Sequence, residues 1–163
     1  MEDEQKNAII TSIKKRFAFL LDNQYNMGSM NITGTMGRWE IELESDYTDV
    51  IYKFESDRDQ IFLKIANREE KFWVSLQAVV FFITNEVILF WGADGEYLDD
   101  LDRQINNQAT VLKDYIEKIN FFFERKSKSY KNKFLASGKK LIAIQIKEIE
   151  RKSQISLNNC AKK

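Results

Sequence analysis

Apolar and acidic residues alternate strictly from Trp39 to Glu44, and this alternation constrains the fold more than any other feature of the chain. Successive side chains of a β-strand point to opposite faces, so the pattern predicts a strand with one buried face and one solvated face. Two later segments continue the apolar face, one through Val50, Tyr52 and Phe54 and the other through Ile61, Leu63 and Ile65. The sequence therefore predicts an antiparallel meander of at least three strands.

The register of both hairpins is predicted by keeping their apolar residues paired. We expect Tyr52 to lie opposite Ile41 in the first hairpin and opposite Leu63 in the second, with Lys53 opposite Glu40. The turns then fall near residues 46–47 and 56–59. In this arrangement one face is exposed and carries Glu40, Glu42 and Glu44, whereas the other is buried and carries Trp39, Ile41, Leu43, Tyr52, Phe54, Ile61 and Leu63.

Helical periodicity flanks the predicted meander on both sides. We expect helices over residues 5–21, about 97–126 and about 134–152, and a short strand or turn that leads into a buried helix from about Ser75. A glycine-bearing loop with a short edge strand around Ile32 precedes the meander. The fold class is therefore α+β, in one domain of residues 1–163. We divide it into a helix-plus-meander core (1–95), a helical part (96–152) and a flexible tail (153–163).

The residues that most enzymes and metal sites need are scarce. The chain has no histidine and one cysteine, Cys160. Zinc and iron–sulfur sites would lack ligands, and a Ser–His or Cys–His nucleophile cannot form. The carboxylate-rich segment 94–102 does not fit a calcium loop and is interpreted as a helix start. We therefore expect no metal, no cofactor and no enzymatic activity.

The single cysteine and the acidic N-terminus predict a cytoplasmic protein. The apolar run 72–91 is interrupted by Gln77, Asn85 and Glu86, so we interpret it as buried core and expect no membrane span.

Charge is divided sharply along the chain. Residues 125–163 contain twelve Lys or Arg and two Asp or Glu, whereas residues 1–124 contain thirteen and twenty-three, so the formal charges are +10 and −10. The candidate acidic interaction face consists of Glu40, Glu42, Glu44, Asp46 and Asp49. The candidate basic interaction segment consists of Arg125, Lys126, Lys128, Lys131, Lys133, Lys139 and Lys140.

Three segments carry a resemblance to a known group of proteins: residues 39–45, 57–63 and 72–76. In this order after an amphipathic helix they resemble small bacterial α+β proteins of the kind grouped with immunity proteins of toxin systems. The resemblance spans roughly residues 9–85 and implies an α+β fold and a protein partner. No functional residue is carried over, and the helices from Tyr97 onward depart from the pattern.

Three functions stay open on this sequence. The leading hypothesis is a non-enzymatic interaction module, immunity-like, that presents its acidic face to a basic protein partner. The first alternative is a nucleic-acid-associated protein that uses the basic helices, although the whole chain is not basic. The second is a carboxylate-dependent enzyme. We expect the last helix to pack against the preceding helix or the same face of the domain through its apolar residues, Leu135, Ile142, Ile146 and Ile149. If the domain leaves these residues open, a homodimer through the C-terminal helices would cover them.

Overall fold

The computed structural model describes residues 3–33, 38–57, 60–88, 101–125 and 127–160. It shows the predicted α+β fold, with a helix, an antiparallel sheet and C-terminal helices in chain order. The elements are α1 (Asp3–Arg16), α2 (Ala18–Leu21), β1 (Tyr25–Met27), β2 (Asn31–Thr33), β3 (Arg38–Ser45), β4 (Val50–Asp57), β5 (Gln60–Asn67), β6 (Val74–Ser75), α3 (Leu76–Thr84), α4 (Leu101–Arg125) and α5 (Ser127–Cys160).

The sheet has the order β1-β3-β4-β5-β6, and β2 also pairs with β3. Strands β3, β4 and β5 form the predicted meander, and every pairing is antiparallel. Strand β2 is the edge strand that was expected around Ile32.

The predicted register was wrong by two residues in both hairpins. Tyr52 lies opposite Leu43 rather than Ile41, and opposite Ile65 rather than Leu63. A shift of two keeps every side chain on its face, so hydrophobic pattern cannot detect it. Polar groups of the turn accompany the observed register: the Tyr47 amide donates to the Ser45 hydroxyl, at 3.3 Å, and the Val50 amide donates to the Thr48 hydroxyl, at 3.2 Å.

Several helix limits also differ from the expected ones. The first helix is interrupted at Phe17, whose backbone leaves the helical region with ψ at 22°. Helix α5 begins at Ser127, so the basic stretch before Phe134 is helical, and it continues through residues 153–160. The expected start of α4 near Tyr97 lies outside the described residues. Helix α3 begins as expected, because the Ser75 hydroxyl accepts from the Ala78 amide and caps it.

The core lies between the inner face of the sheet and helices α1, α3 and α4. All seven sheet residues that were expected to be buried are buried. The Phe17 ring meets the Phe54 ring edge to face, with centroids 4.7 Å apart. Helix α4 contributes Ile105, Ala109, Leu112, Ile119 and Phe123.

Helix α4 also closes the open edge of β5. Strand β6 pairs only with residues 64–65 of β5. Beyond it, the Ile61 amide donates to the Gln104 side chain, at 2.8 Å, and the Leu63 amide donates to Gln108, at 2.5 Å. The Gln108 side chain in turn donates to the Ile61 carbonyl, at 2.9 Å. Two glutamines one helical turn apart therefore take the place of a further strand.

Within the described ranges, no helix is both long enough and apolar enough to cross a membrane.

Candidate interaction surfaces

The acidic ladder of β3 is less open than the sequence predicted. Glu40, Glu42 and Glu44 are half-buried rather than exposed. The same outer face of the sheet carries Ile51 and Ala66, which lie opposite each other and are fully buried. The outer face is therefore partly covered and is not a simple solvated surface.

Lys53 lies at the centre of this face. Its side chain is only 12% exposed, and its ammonium nitrogen lies 3.3 Å from a Glu40 carboxylate oxygen and 3.7 Å from a Glu55 oxygen. The same nitrogen lies 4.6 Å from the centroid of the Trp73 ring. Lys64 forms a further ion pair with Glu55. Although the observed register places Glu42 rather than Glu40 opposite Lys53, the expected neutralisation of Glu40 by Lys53 is present.

Glu42 shows how burial changes the chemistry of this ladder. Burial raises the pKa of the Glu42 carboxyl, while the charge of Lys53 lowers it by a smaller amount. The two remaining acidic candidates, Asp46 and Asp49, lie in the β3–β4 connection and are exposed. The most accessible negative charge of the predicted face is therefore at its turn, not along its strand.

The basic candidates that can be described all lie on α5. Lys131, Lys133, Lys139 and Lys140 are exposed. The nitrogen of Lys131 lies 4.9 Å from the Phe72 ring centroid, and that of Lys140 lies 5.7 Å from the Phe81 ring centroid. The side chains of Arg125, Lys126 and Lys128 lie outside the described part of the chain.

A row of basic residues on α5 includes two that were not among the candidates. Lys133, Lys140 and Lys147 follow each other at intervals of seven residues, and Arg151 comes four residues later. Since a helix turns about 100° per residue, these four share one face. All four are exposed. We call them the basic row.

Helix α5 packs on the domain through a face that the sequence analysis did not select. Phe134, Leu141 and Gln145 are buried against the domain. The Phe134 ring lies 4.5 Å from that of Phe82 on α3 and 5.4 Å from that of Phe123 on α4, measured between centroids. These contacts anchor the N-terminal half of α5.

The face that was expected to pack is instead open. Leu135, Ile142 and Ile146 are 48%, 57% and 51% exposed. The spacing of seven and four residues places them on one side of α5. Ile149 was expected on the same face, and its side chain lies outside the described residues. We call Leu135, Ile142 and Ile146 the aliphatic stripe.

A group of polar side chains is buried between β1, β4 and α4. The rings of Tyr25 and Tyr52 lie 5.4 Å apart, and the Tyr52 hydroxyl donates to the Asn120 side chain, at 2.7 Å. The Tyr25 hydroxyl has no hydrogen-bond partner among the described residues. Burial raises the pKa of Tyr25 to about 12, while neighbouring Thr48 and Tyr52 lower it by less. Burial likewise raises the pKa of Tyr52, so both phenols stay protonated near neutral pH.

The sequence contained a signal for the true packing face of α5. Phe134, Leu141 and Gln145 have the same seven-and-four spacing as the stripe, but Gln145 interrupts the apolar pattern. Gly138 lies on the side of α5 that faces α3, where a β-carbon would be in ordinary van der Waals contact with that of Ala78, at 3.9 Å. A count of aliphatic residues alone favours the aliphatic stripe, which is exposed, as the packing face of α5.

The described residues contain no group of three or more side chains suited to hold a metal ion. Comparison with protein-family models, with curated proteins and with solved structures gave no match. The surfaces described above are therefore the basis for any functional proposal.

Proposed function

We propose that this protein is a non-enzymatic protein-interaction module and that it binds its protein partner through the aliphatic stripe of α5. The observation that carries the proposal is the exposure of Leu135, Ile142 and Ile146, each near half of its full value, on a helix anchored by a different face. Aligned exposed aliphatic side chains on a folded domain mark interaction sites.

The anchoring of α5 supports this use of the stripe. Phe134 and Leu141 are almost fully buried. Their packing fixes the rotation of the helix, and a fixed rotation holds the stripe toward solvent. A partner would meet a preorganised row of side chains and would not have to order them first.

The acidic face has weaker support as the main surface. Glu40 is engaged by Lys53, and Glu42 is partly buried. Exposed Asp46 and Asp49 can still steer a basic partner. Action as an immunity protein, and a cytoplasmic location, stay predictions from the sequence.

Photo-cross-linking in intact cells tests the proposal. A benzophenone amino acid is placed at position 142, in the stripe, or at position 147, in the basic row. We expect a discrete protein adduct from position 142 only, and its loss when Leu135→Glu is added. Absence of any adduct from position 142, or equal adducts from both positions, would contradict the proposal.

A second candidate function, association with nucleic acid, is favoured by the basic row. Residues seven apart on a helix are separated by about 10.5 Å, so the row offers regularly spaced positive charges along one face. A gel shift at low salt should weaken steeply as salt rises, and Lys147→Gln should reduce the salt slope by about one. No shift at low salt would remove this candidate.

A further inference from the structure

The aliphatic stripe has the spacing of a coiled-coil seam. Leu135, Ile142 and Ile146 fall at d, d and a positions of a heptad, and Lys139 occupies the a position between the first two. Such a seam fits a second helix better than a flat surface, because side chains at these positions interlock with those of a facing helix.

Two alanines lie on the open flank of the stripe. Ala136 and Ala143 follow Leu135 and Ile142 directly, and both are exposed. The other flank is the packing face, which is already occupied by the domain. Alanine at the open flank allows two helix axes to approach toward the short end of the usual range of about 8–10 Å.

The distribution of charge favours a second copy as the occupant and an antiparallel direction. The basic row lies about 140° around the helix from the stripe, so two α5 helices joined through their stripes direct their basic rows away from each other. A parallel pair would place the two Lys139 ammonium groups face to face. An antiparallel pair with Ile142 against Ile146 separates them by about 15 Å along the helix axis.

The antiparallel arrangement also matches the charge split of the chain. Helix α5 has 34 residues, which corresponds to a length of about 51 Å. In an antiparallel pair the C-terminal part of each helix runs toward the body of the other copy. The bodies, residues 1–124, carry a formal charge of −10 and the segment 125–163 carries +10. Each basic segment therefore lies beside an acidic body.

We propose that the occupant of the aliphatic stripe is a second copy of this chain, in an antiparallel α5–α5 pair with two-fold symmetry. The contact is isologous and closed, because the same side chains are contributed by both copies. This inference rests on the proposed function, since it names the partner for the same surface.

Sedimentation and light scattering over a dilution series test the inference. The full chain should show twice the mass of the 19.3 kDa monomer. Ile142→Glu should raise the dissociation constant at least about tenfold, because a carboxylate would be buried in the seam. Lys147→Glu, on the basic row, should leave the dimer intact. Circular dichroism establishes that both variants are folded, and Ile146→Lys provides a second stripe variant.

Cysteine cross-linking tests the direction, in a Cys160→Ser background. Ile142→Cys with Ile146→Cys should form a disulfide-linked dimer, whereas Leu135→Cys alone should not, because antiparallel pairing places the two Leu135 positions far apart. Cross-linking of Leu135→Cys alone would overturn the antiparallel arrangement.

The two proposals fail separately. A monomeric wild-type chain at every concentration, or a folded Ile142→Glu variant that stays dimeric, would overturn the second-copy inference. In the first case, a photo-adduct from position 142 with a different protein would leave the proposed function standing. Absence of any adduct from position 142 would contradict both the proposed function and the second-copy inference.

Discussion

At the scale of single residues, the glutamines of α4 show how a polar side chain replaces a strand. A backbone N–H or C=O at a buried sheet edge needs a partner, and Gln108 supplies one of each for Leu63 and Ile61. The sequence pattern did not reveal this role of Gln104 and Gln108. A glutamine within the apolar pattern of a helix can point to solvent, or it can be buried and hydrogen-bonded to backbone groups. Only the folded structure distinguishes the two cases.

Gln108→Leu should therefore destabilise the protein, although the two side chains have similar volumes. The substitution keeps the volume but leaves the Leu63 amide and the Ile61 carbonyl without partners, at a cost of about 2–4 kcal/mol. Urea unfolding measures this change in the free energy of unfolding, with Glu117→Leu on the exposed side of α4 as the control. Equal stability of the two variants would contradict the edge-closing role.

The raised pKa of Tyr25 predicts that the folded protein loses stability at alkaline pH. Its pKa is about 12 in the folded protein and 10.0 for an unperturbed phenol. The unfolded state therefore loses its proton first, and the stability present below pH 10 is lost as pH rises toward 12. Tyr25→Phe removes this titration together with a buried hydroxyl that lacks a partner, so it should be neutral or stabilising at pH 7.

The measurement is the free energy of unfolding of wild type and Tyr25→Phe from pH 8 to 12. The difference between them should be constant below pH 10 and should then change in favour of the variant. Parallel curves over the whole range would show that Tyr25 ionises alike in both states.

At the scale of elements, the sequence predicted which faces of the strands are buried but not their alignment. Period-two alternation determines the face, so Trp39 and Ile41 were identified correctly. A shift of two residues leaves that pattern unchanged, whereas the hydroxyls of Ser45 and Thr48, which accept hydrogen bonds from the Tyr47 and Val50 amides in the turn, accompany one register only. The predicted packing face of α5 was wrong for a related reason. Two faces of this helix have the same residue spacing, and the less apolar of them is the buried one.

Neighbouring residues of α5 provide a direct test of its rotation. Leu141 is 3% exposed and Ile142 is 57% exposed. Leu141→Ala should cost about 2–5 kcal/mol of unfolding free energy, whereas Ile142→Ala should change it by less than about 0.5 kcal/mol. Chemical denaturation at concentrations where the chain is monomeric gives both values. A larger loss for Ile142→Ala would show that the stripe, not the packing face, contacts the domain.

At the scale of the whole molecule, two kinds of interaction can act on α5, attraction between opposite charges and apolar contacts, and these differ in how much they contribute to stability. Exposed ion pairs contribute about 0–1 kcal/mol each, while truncation of a buried phenylalanine costs about 3–5 kcal/mol. We therefore expect the contacts of Phe134 with Phe82 and Phe123 to determine whether α5 docks, and charge to affect mainly its direction of approach.

Truncation after residue 126 tests this division. It removes Phe134 and Leu141 and leaves the surfaces of α3 and α4 that they cover exposed, so the melting temperature should fall and aggregation should increase. Phe134→Ala in the full chain should reproduce most of the loss of stability. Lys147→Gln, which removes one exposed positive charge, should leave the melting temperature nearly unchanged. If the truncated chain were instead as stable and as soluble as the full chain, α5 would be a basic arm outside the core, and the nucleic-acid alternative would become the leading function.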